Sequence, residues 1–172
     1  MQTLIRLFAV LALALVAGVI QAADRGCPDP LARQFDFWIG SWEVSNQDGS
    51  VVGHNRIEPI LDRCVLQETW AGASGSAGTS LNFFDTARGK WRQFWVWREG
   101  TTLELEGGLV DGAMVLEGDS VEEGKPARNR ITWTKQPDES VRQLWELSRD
   151  GGTSWQTLFD GTYRPARPPQ AP

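Results

Sequence analysis

The chain has 172 residues, 41% hydrophobic and 23% charged, with 18 Gly, 9 Pro, 9 Trp and one Tyr, the make-up of one ordinary globular domain with short extensions. Seventeen Lys and Arg against 22 Asp and Glu leave a net charge of -5, so no basic field exists to gather nucleic-acid phosphates or anionic lipid. A nucleic-acid partner is not expected.

Residues 1–22, with Arg6 ahead of an apolar run from Leu7 to Ile20, have the charged start and hydrophobic stretch of a secretory signal peptide. The run is too short to span a bilayer, and no second apolar stretch approaches that length. Export leaves Cys27 and Cys64 in a compartment where oxidation is possible, and a disulfide is the natural reading, with two buried free thiols as the alternative. Closing that loop removes unfolded-state entropy worth about 4 kcal/mol and pins the N-terminal segment to the body. Two Cys and one His do not complete a Cys/His zinc site.

Asp29 to Phe37, preceded by Pro28, carries Pro30 beside Leu31, Phe35 and Phe37, which predicts a short helical turn lying on a core. From Gly40 onward, runs rich in Val, Trp, Phe, Thr and Leu alternate with turn residues, and no window keeps a helical period. The predicted strands are Trp42 to Ser45, Val51 to Glu58, Val65 to Trp70, Ser80 to Asp85 and Trp91 to Trp97. Five more follow: Thr102 to Glu106, Ala113 to Glu117, Arg130 to Lys135, Val141 to Ser148 and Gln156 to Arg164. Asp48-Gly49, Arg88-Gly89, Glu99-Gly100, Asp111-Gly112, Glu123-Gly124 and Asp150-Gly151-Gly152 supply hairpin turns between them. Short turns pair neighbours antiparallel, and a long meander removes its edges by closing. The expected fold is therefore all-β, an antiparallel up-and-down barrel of about ten strands over residues 23–164, with a disordered Pro-rich tail at 165–172.

Alternation sorts each run into a lining face and an outer face. Trp91, Gln93, Trp95 and Trp97 face inward, as do Leu66, Glu68 and Trp70, Leu103 and Leu105, Ile131 and Trp133, and Val141, Gln143, Trp145 and Leu147. In Ser80 to Asp85 the two faces nearly tie, leaving either Asn82 or Phe83 inward, and Arg56 is a further candidate for the lining. A large aromatic lining with a few polar groups on separate strands is the make-up of a ligand cavity, although Trp side chains that simply fill the barrel explain the same pattern.

Phe35-Asp-Phe-Trp-Ile-Gly-Ser-Trp42 contains a Gly-x-Trp triplet, Gly40-Ser41-Trp42, that resembles the opening of the first strand in calycins, the superfamily of lipocalins and fatty-acid-binding proteins. Together with Cys64 closing Ile60-Leu-Asp-Arg-Cys, the Gly-spaced stretch from Trp70 to Ser80, and the closing Asp160-Gly-Thr-Tyr-Arg164, it is similar to a family of exported bacterial proteins that form a domain of unknown function. The resemblance implies a calycin-like barrel and lends no catalytic residues. It also implies that Trp42 packs under Arg164.

Ser148-Arg-Asp150-Gly-Gly152-Thr-Ser-Trp155 resembles a sialidase Asp-box, but it occurs once in a short chain, which predicts a turn braced by Asp150 over Trp155. Gly72, Gly75 and Gly78 lack the spacing of a phosphate loop and read as a mobile rim loop gating a cavity. His54 is the only histidine, and its neighbours Gly53 and Asn55 give it no catalytic context.

The expected function is binding, in the periplasm or outside the cell, of a small hydrophobic or amphipathic molecule within the barrel, without cofactor or metal. Trp70, Trp95, Trp97 and Trp145 enclose it, and Glu68, Asn82, Gln93 and Gln143 orient it. No catalytic residue is assigned. The competing readings are a small secreted enzyme using Glu68, its pKa raised by an apolar lining, and an interaction module with a filled barrel and an outer patch around Phe94 and Val96.

Overall fold

A computed structural model describes residues 27–166. The signal peptide expected over residues 1–22 lies outside the described residues, as does the expected tail beyond Ala166. Two short 3₁₀ helices, Pro30–Arg33 and Asp36–Trp38, precede ten strands: β1 (Gly40–Ser45), β2 (Val51–Ile60), β3 (Val65–Gly72), β4 (Ala77–Asp85), β5 (Lys90–Trp97), β6 (Thr102–Val110), β7 (Ala113–Glu122), β8 (Lys125–Lys135), β9 (Val141–Ser148) and β10 (Gln156–Pro165). Each pairs antiparallel with its neighbours in sequence, and β1 pairs with β10, so the sheet closes on itself. The all-β meander read from alternation and turn residues is the observed architecture.

Closure depends on the first and last strands meeting in register. Trp42 lies opposite Pro165 and Glu43 opposite Arg164, and the Ala166 N–H donates to the Ser41 carbonyl at 2.8 Å. Arg164 is thereby placed on the outer face with Glu43, so it does not cover Trp42. The Trp42 indole instead donates to the Trp38 carbonyl at 2.9 Å and meets the Tyr163 ring edge-on at 6.4 Å. Pro165 belongs to β10, and the expected boundary at Arg164 moves by one residue.

The 3₁₀ helices plug the end of the barrel where β1 begins. Asp29 caps the first by accepting from the Leu31 N–H at 2.9 Å, and Pro30 supplies the fixed φ of a helical start. Phe35 and Trp38 are fully buried and stacked at 4.9 Å, and they press against Trp91 and Trp133, which rise from β5 and β8. Met114, Leu116, Leu105, Ile57 and Val44 complete this packed half. Cys27 and Cys64 form the expected disulfide, which ties the plug to the β2–β3 turn. That turn runs through Leu61, Asp62 and Arg63, all with φ between 49° and 65°, a conformation unfavourable for side chains larger than glycine. It is held by the disulfide at Cys64, by a hydrogen bond from the Arg33 guanidinium to the Arg63 carbonyl, and by the Arg63–Asp36 ion pair at 3.7 Å.

At the opposite end the wall is less uniform. The β6–β7 ladder covers Glu106–Val110 with Ala113–Glu117, and the rest of β7 pairs only with β8 as a hairpin running past the barrel. Beyond Gly118, whose Cα sits against the Glu104 carbonyl, the wall parts and leaves a cleft beside Thr102–Leu105. The β9–β10 turn carries the Asp-box-like string. Asp150 accepts from the Ser148 hydroxyl, the Ser154 N–H and the Ser154 hydroxyl, at 2.7, 2.8 and 2.6 Å, and these bonds hold its carboxyl down to about 2. Trp155 tucks its N–H onto the Gly152 carbonyl, with the Arg130 guanidinium 4.0 Å from its ring centre, so this string is a turn brace.

Candidate functional site

Above the plug the barrel is hollow. A cavity of about 300 Å3 lies between the packed half and the open end, equal to the volume of about ten water molecules in the liquid. Its walls come from β3, β5, β6, β8, β9 and β10. Seven of the eight residues expected to bind a ligand line it: Glu68, Trp70, Gln93, Trp95, Trp97, Gln143 and Trp145. The barrel is packed in the half nearest the plug and holds this space in the other.

The eighth, Asn82, points inward with no exposure, which resolves the tie with Phe83, but it lies behind the cavity wall. There it donates to the Ser80 hydroxyl at 2.8 Å and accepts from the Gln93 amide at 2.8 Å. Arg56 is on the outer face, paired with Glu58 at 2.6 Å, because β2 turns Gly53, Asn55 and Ile57 inward. His54 also faces out and has no part in the interior.

Three polar residues of this region were not anticipated, Asn55, Ser80 and Tyr163. All follow from parity: His54, Arg56 and Glu58 alternate with Asn55, Ser80 shares the face of Asn82, and Asp160 and Arg164 flank the inward positions Gly161 and Tyr163. Asn55 donates to Glu68 Oε1 at 2.7 Å, and the Ser80 hydroxyl donates to Glu68 Oε2 at 2.6 Å. The Tyr163 hydroxyl donates to the Gln143 side-chain carbonyl. Residues of β2, β3, β4, β5, β9 and β10 thus join in one polar belt between the aromatic plug and the aromatic mouth.

Glu68 is 5% exposed, and every hydrogen-bond donor it meets is neutral. Burial pushes its carboxyl up to about 7, against the opposing pull of the bonds from Ser80 and Asn55. Burial likewise raises the Tyr163 phenol well above its ordinary range, and the neighbouring Glu68 charge adds to the effect. Among the described residues no Lys, Arg or His lines the cavity. Among the described residues no group of three or more His, Cys, Asp or Glu side chains is placed to hold a metal ion.

The mouth is built from rings seated on glycines. A Cβ on Gly78 would stand 2.3 Å from the Trp95 ring and 2.8 Å from the Val96 carbonyl, and one on Gly53 would stand 2.6 Å from the Trp70 ring. Trp95 and Trp97 meet edge-on at 5.6 Å, and Trp97 lies 6.2 Å from Trp145. The expected mobile glycine loop is therefore different in kind, since Gly72 and Gly78 are strand residues and only 73–76 turn. That turn is tied down by Gly72 N–H to Ser76 O at 2.7 Å, by the Trp70 indole to the Ser76 hydroxyl at 3.2 Å and by Arg98 to Gly75 O at 2.7 Å. Gly78→Ala is expected to cost about 1–3 kcal/mol by overpacking, as Trp95 is driven into the cavity. Urea unfolding checks this, and a loss below about 0.5 kcal/mol would mean that the ring has room to spare.

Trp97, Leu103, Trp145 and Leu158 border both the cavity and the outer cleft beside β6, and form the sill between them. The cleft itself is lined by residues of both charges, including Arg88, Lys90 and Arg92 against Glu104, Glu106 and Glu117. Two buried indole N–H groups in the cavity wall, those of Trp95 and Trp133, have no acceptor. No protein-family model matches this chain, and none of the curated proteins is significantly similar to it.

Proposed function

We propose that the chain is an exported, calycin-like binding protein that encloses a small amphipathic molecule in the hollow half of its barrel. The observation that carries this reading is an aromatic-walled cavity of about 300 Å3 whose lining includes a few polar side chains, Glu68, Gln93 and Gln143, on separate strands. Apolar walls reward the shedding of water from the body of the ligand, and Glu68, Gln93 and Gln143 give it direction. The disulfide suits an oxidising compartment, and among the described residues no helix is long and apolar enough to cross a membrane. Access is through the open end, over the sill of Trp97, Leu103, Trp145 and Leu158.

Native mass spectrometry of the full chain purified from its own source tests this reading. The expected spectrum contains a protein species heavier than the sequence mass, with the excess lost on unfolding. A spectrum of bare protein, together with no thermal shift from any member of a metabolite and lipid collection, would reject it.

A further inference from the structure

We infer that the molecule received by this cavity is a small organic cation, its ammonium group paired with Glu68 and its body held among the indoles of Trp70, Trp95, Trp97 and Trp145. The inference rests on the binding reading above and specifies its ligand class. Among the described residues Glu68 is the only carboxylate in the cavity wall, and no basic side chain is present there to balance it. Many of the barrel's basic side chains instead pair with carboxylates on the outer face, as in Arg142–Asp160, Arg130–Glu146 and Lys90–Glu106.

A carboxylate can accept about four hydrogen bonds. Glu68 uses one on each oxygen, from Asn55 and Ser80, which leaves accepting capacity on a residue that borders the cavity. An ammonium group is the donor that removes the cost of burying that charge. The remaining walls suit a cation as well, because an indole face attracts positive charge, and desolvation in a cavity strengthens that attraction. An anionic ligand would meet an unbalanced carboxylate in the same low-dielectric space. The groups facing Glu68 are Asn55 from β2, Ser80 from β4 and, through Asn55, Tyr163 from β10, of which only Tyr163 is titratable. Its phenol stays neutral throughout the working range, so the charge of the belt is set by Glu68 alone.

Calorimetric titration of the full chain at pH 8 with 2-phenylethylamine, 2-phenylethanol and 3-phenylpropanoate tests the assignment with three bodies of similar size and different charge. The amine is expected to bind at least tenfold more tightly than the alcohol, and the carboxylate more weakly than either. The amine's preference should shrink at pH 5.5, where Glu68 carries its proton. In Glu68→Gln, with its fold checked by near-ultraviolet circular dichroism, the amine should lose its tenfold advantage while the alcohol keeps its affinity. Equal binding of amine and alcohol in the unaltered protein, or an advantage that survives in Glu68→Gln, would overturn the cation and leave the binding reading standing. Absence of binding by all three would count against both.

Discussion

Trp38→Ala is expected to destabilise the protein by about 4 kcal/mol, the cost of removing a fully buried Trp from a well-packed site. At about 3–4 °C per kcal/mol for a domain of this size, the melting temperature should fall by roughly 15 °C. The size of the effect follows from what the ring touches. Trp38 stacks on Phe35, lies 5.4 Å from Trp133 and 6.4 Å from Tyr163, and is fully buried. It sits on a 3₁₀ helix of three residues, which has no stability of its own and stays in place because of this side chain and the disulfide. Its own indole N–H is buried without an acceptor, so truncation loses packing and no hydrogen bond of that group. Val121→Ala, at a position 71% exposed on the projecting hairpin, provides the comparison and should change stability by less than about 0.5 kcal/mol. Because the space created is apolar and enclosed, added indole should restore part of the lost melting temperature. A loss below about 1 kcal/mol would show that the 3₁₀ segment lies on the barrel without closing it.

The strands that alternation reveals well are those with one face against the core. Val141–Ser148 has the same bounds in sequence and structure, and Trp91, Gln93, Trp95 and Trp97 lie on the predicted side. The strand segments that were missed are those where no core imposes alternation. The far ends of β7 and β8, with Asp119, Ser120 and Glu122 beside Lys125, Pro126 and Arg128, are mostly polar on both faces because they form a hairpin beyond the barrel. Gly72 and Gly78 read as a loop because glycine is common in loops. Their reason for being glycine is the Ser76 hydroxyl in one case and the Trp95 ring in the other, contacts made within the fold and absent from any local pattern. The Trp42–Arg164 contact failed on register: one residue places Arg164 on the opposite face, and pairing distance cannot be read from composition. The aromatic wall and Glu68 were legible from parity. The volume they leave was not, since it depends on how far the plug reaches and on how the rings tilt.

Glu68→Gln should leave stability nearly unchanged at pH 4 and raise it by about 3 kcal/mol above pH 7.5 in the absence of ligand. In the folded protein Glu68 holds its proton up to about 7, while its ordinary value is 4.5. Between those values the folded state binds more protons than the unfolded chain, so stability declines as pH rises through that window. A gap of this size corresponds to about 3 kcal/mol at 1.36 kcal/mol per pH unit. The neutral amide carries no such penalty at any pH. It also fits the belt, because its carbonyl accepts from Asn55 or Ser80 as the carboxylate does, and its N–H groups can use the Asn55 carbonyl, which is buried without a partner. Urea unfolding of both proteins at intervals from pH 4 to pH 8 measures the difference. Two parallel stability curves would mean that Glu68 ionises freely in the folded barrel, with water reaching it from the mouth, and its burial would then have no energetic consequence. If the gap opens from about pH 4.5 and is complete above about pH 7, a saturating organic cation at pH 8 should close it by stabilising only the protein that keeps the carboxylate, since a ligand bound to the folded state adds its binding free energy to stability. The same side chain that weakens the unliganded barrel at neutral pH would then be the one that makes it selective.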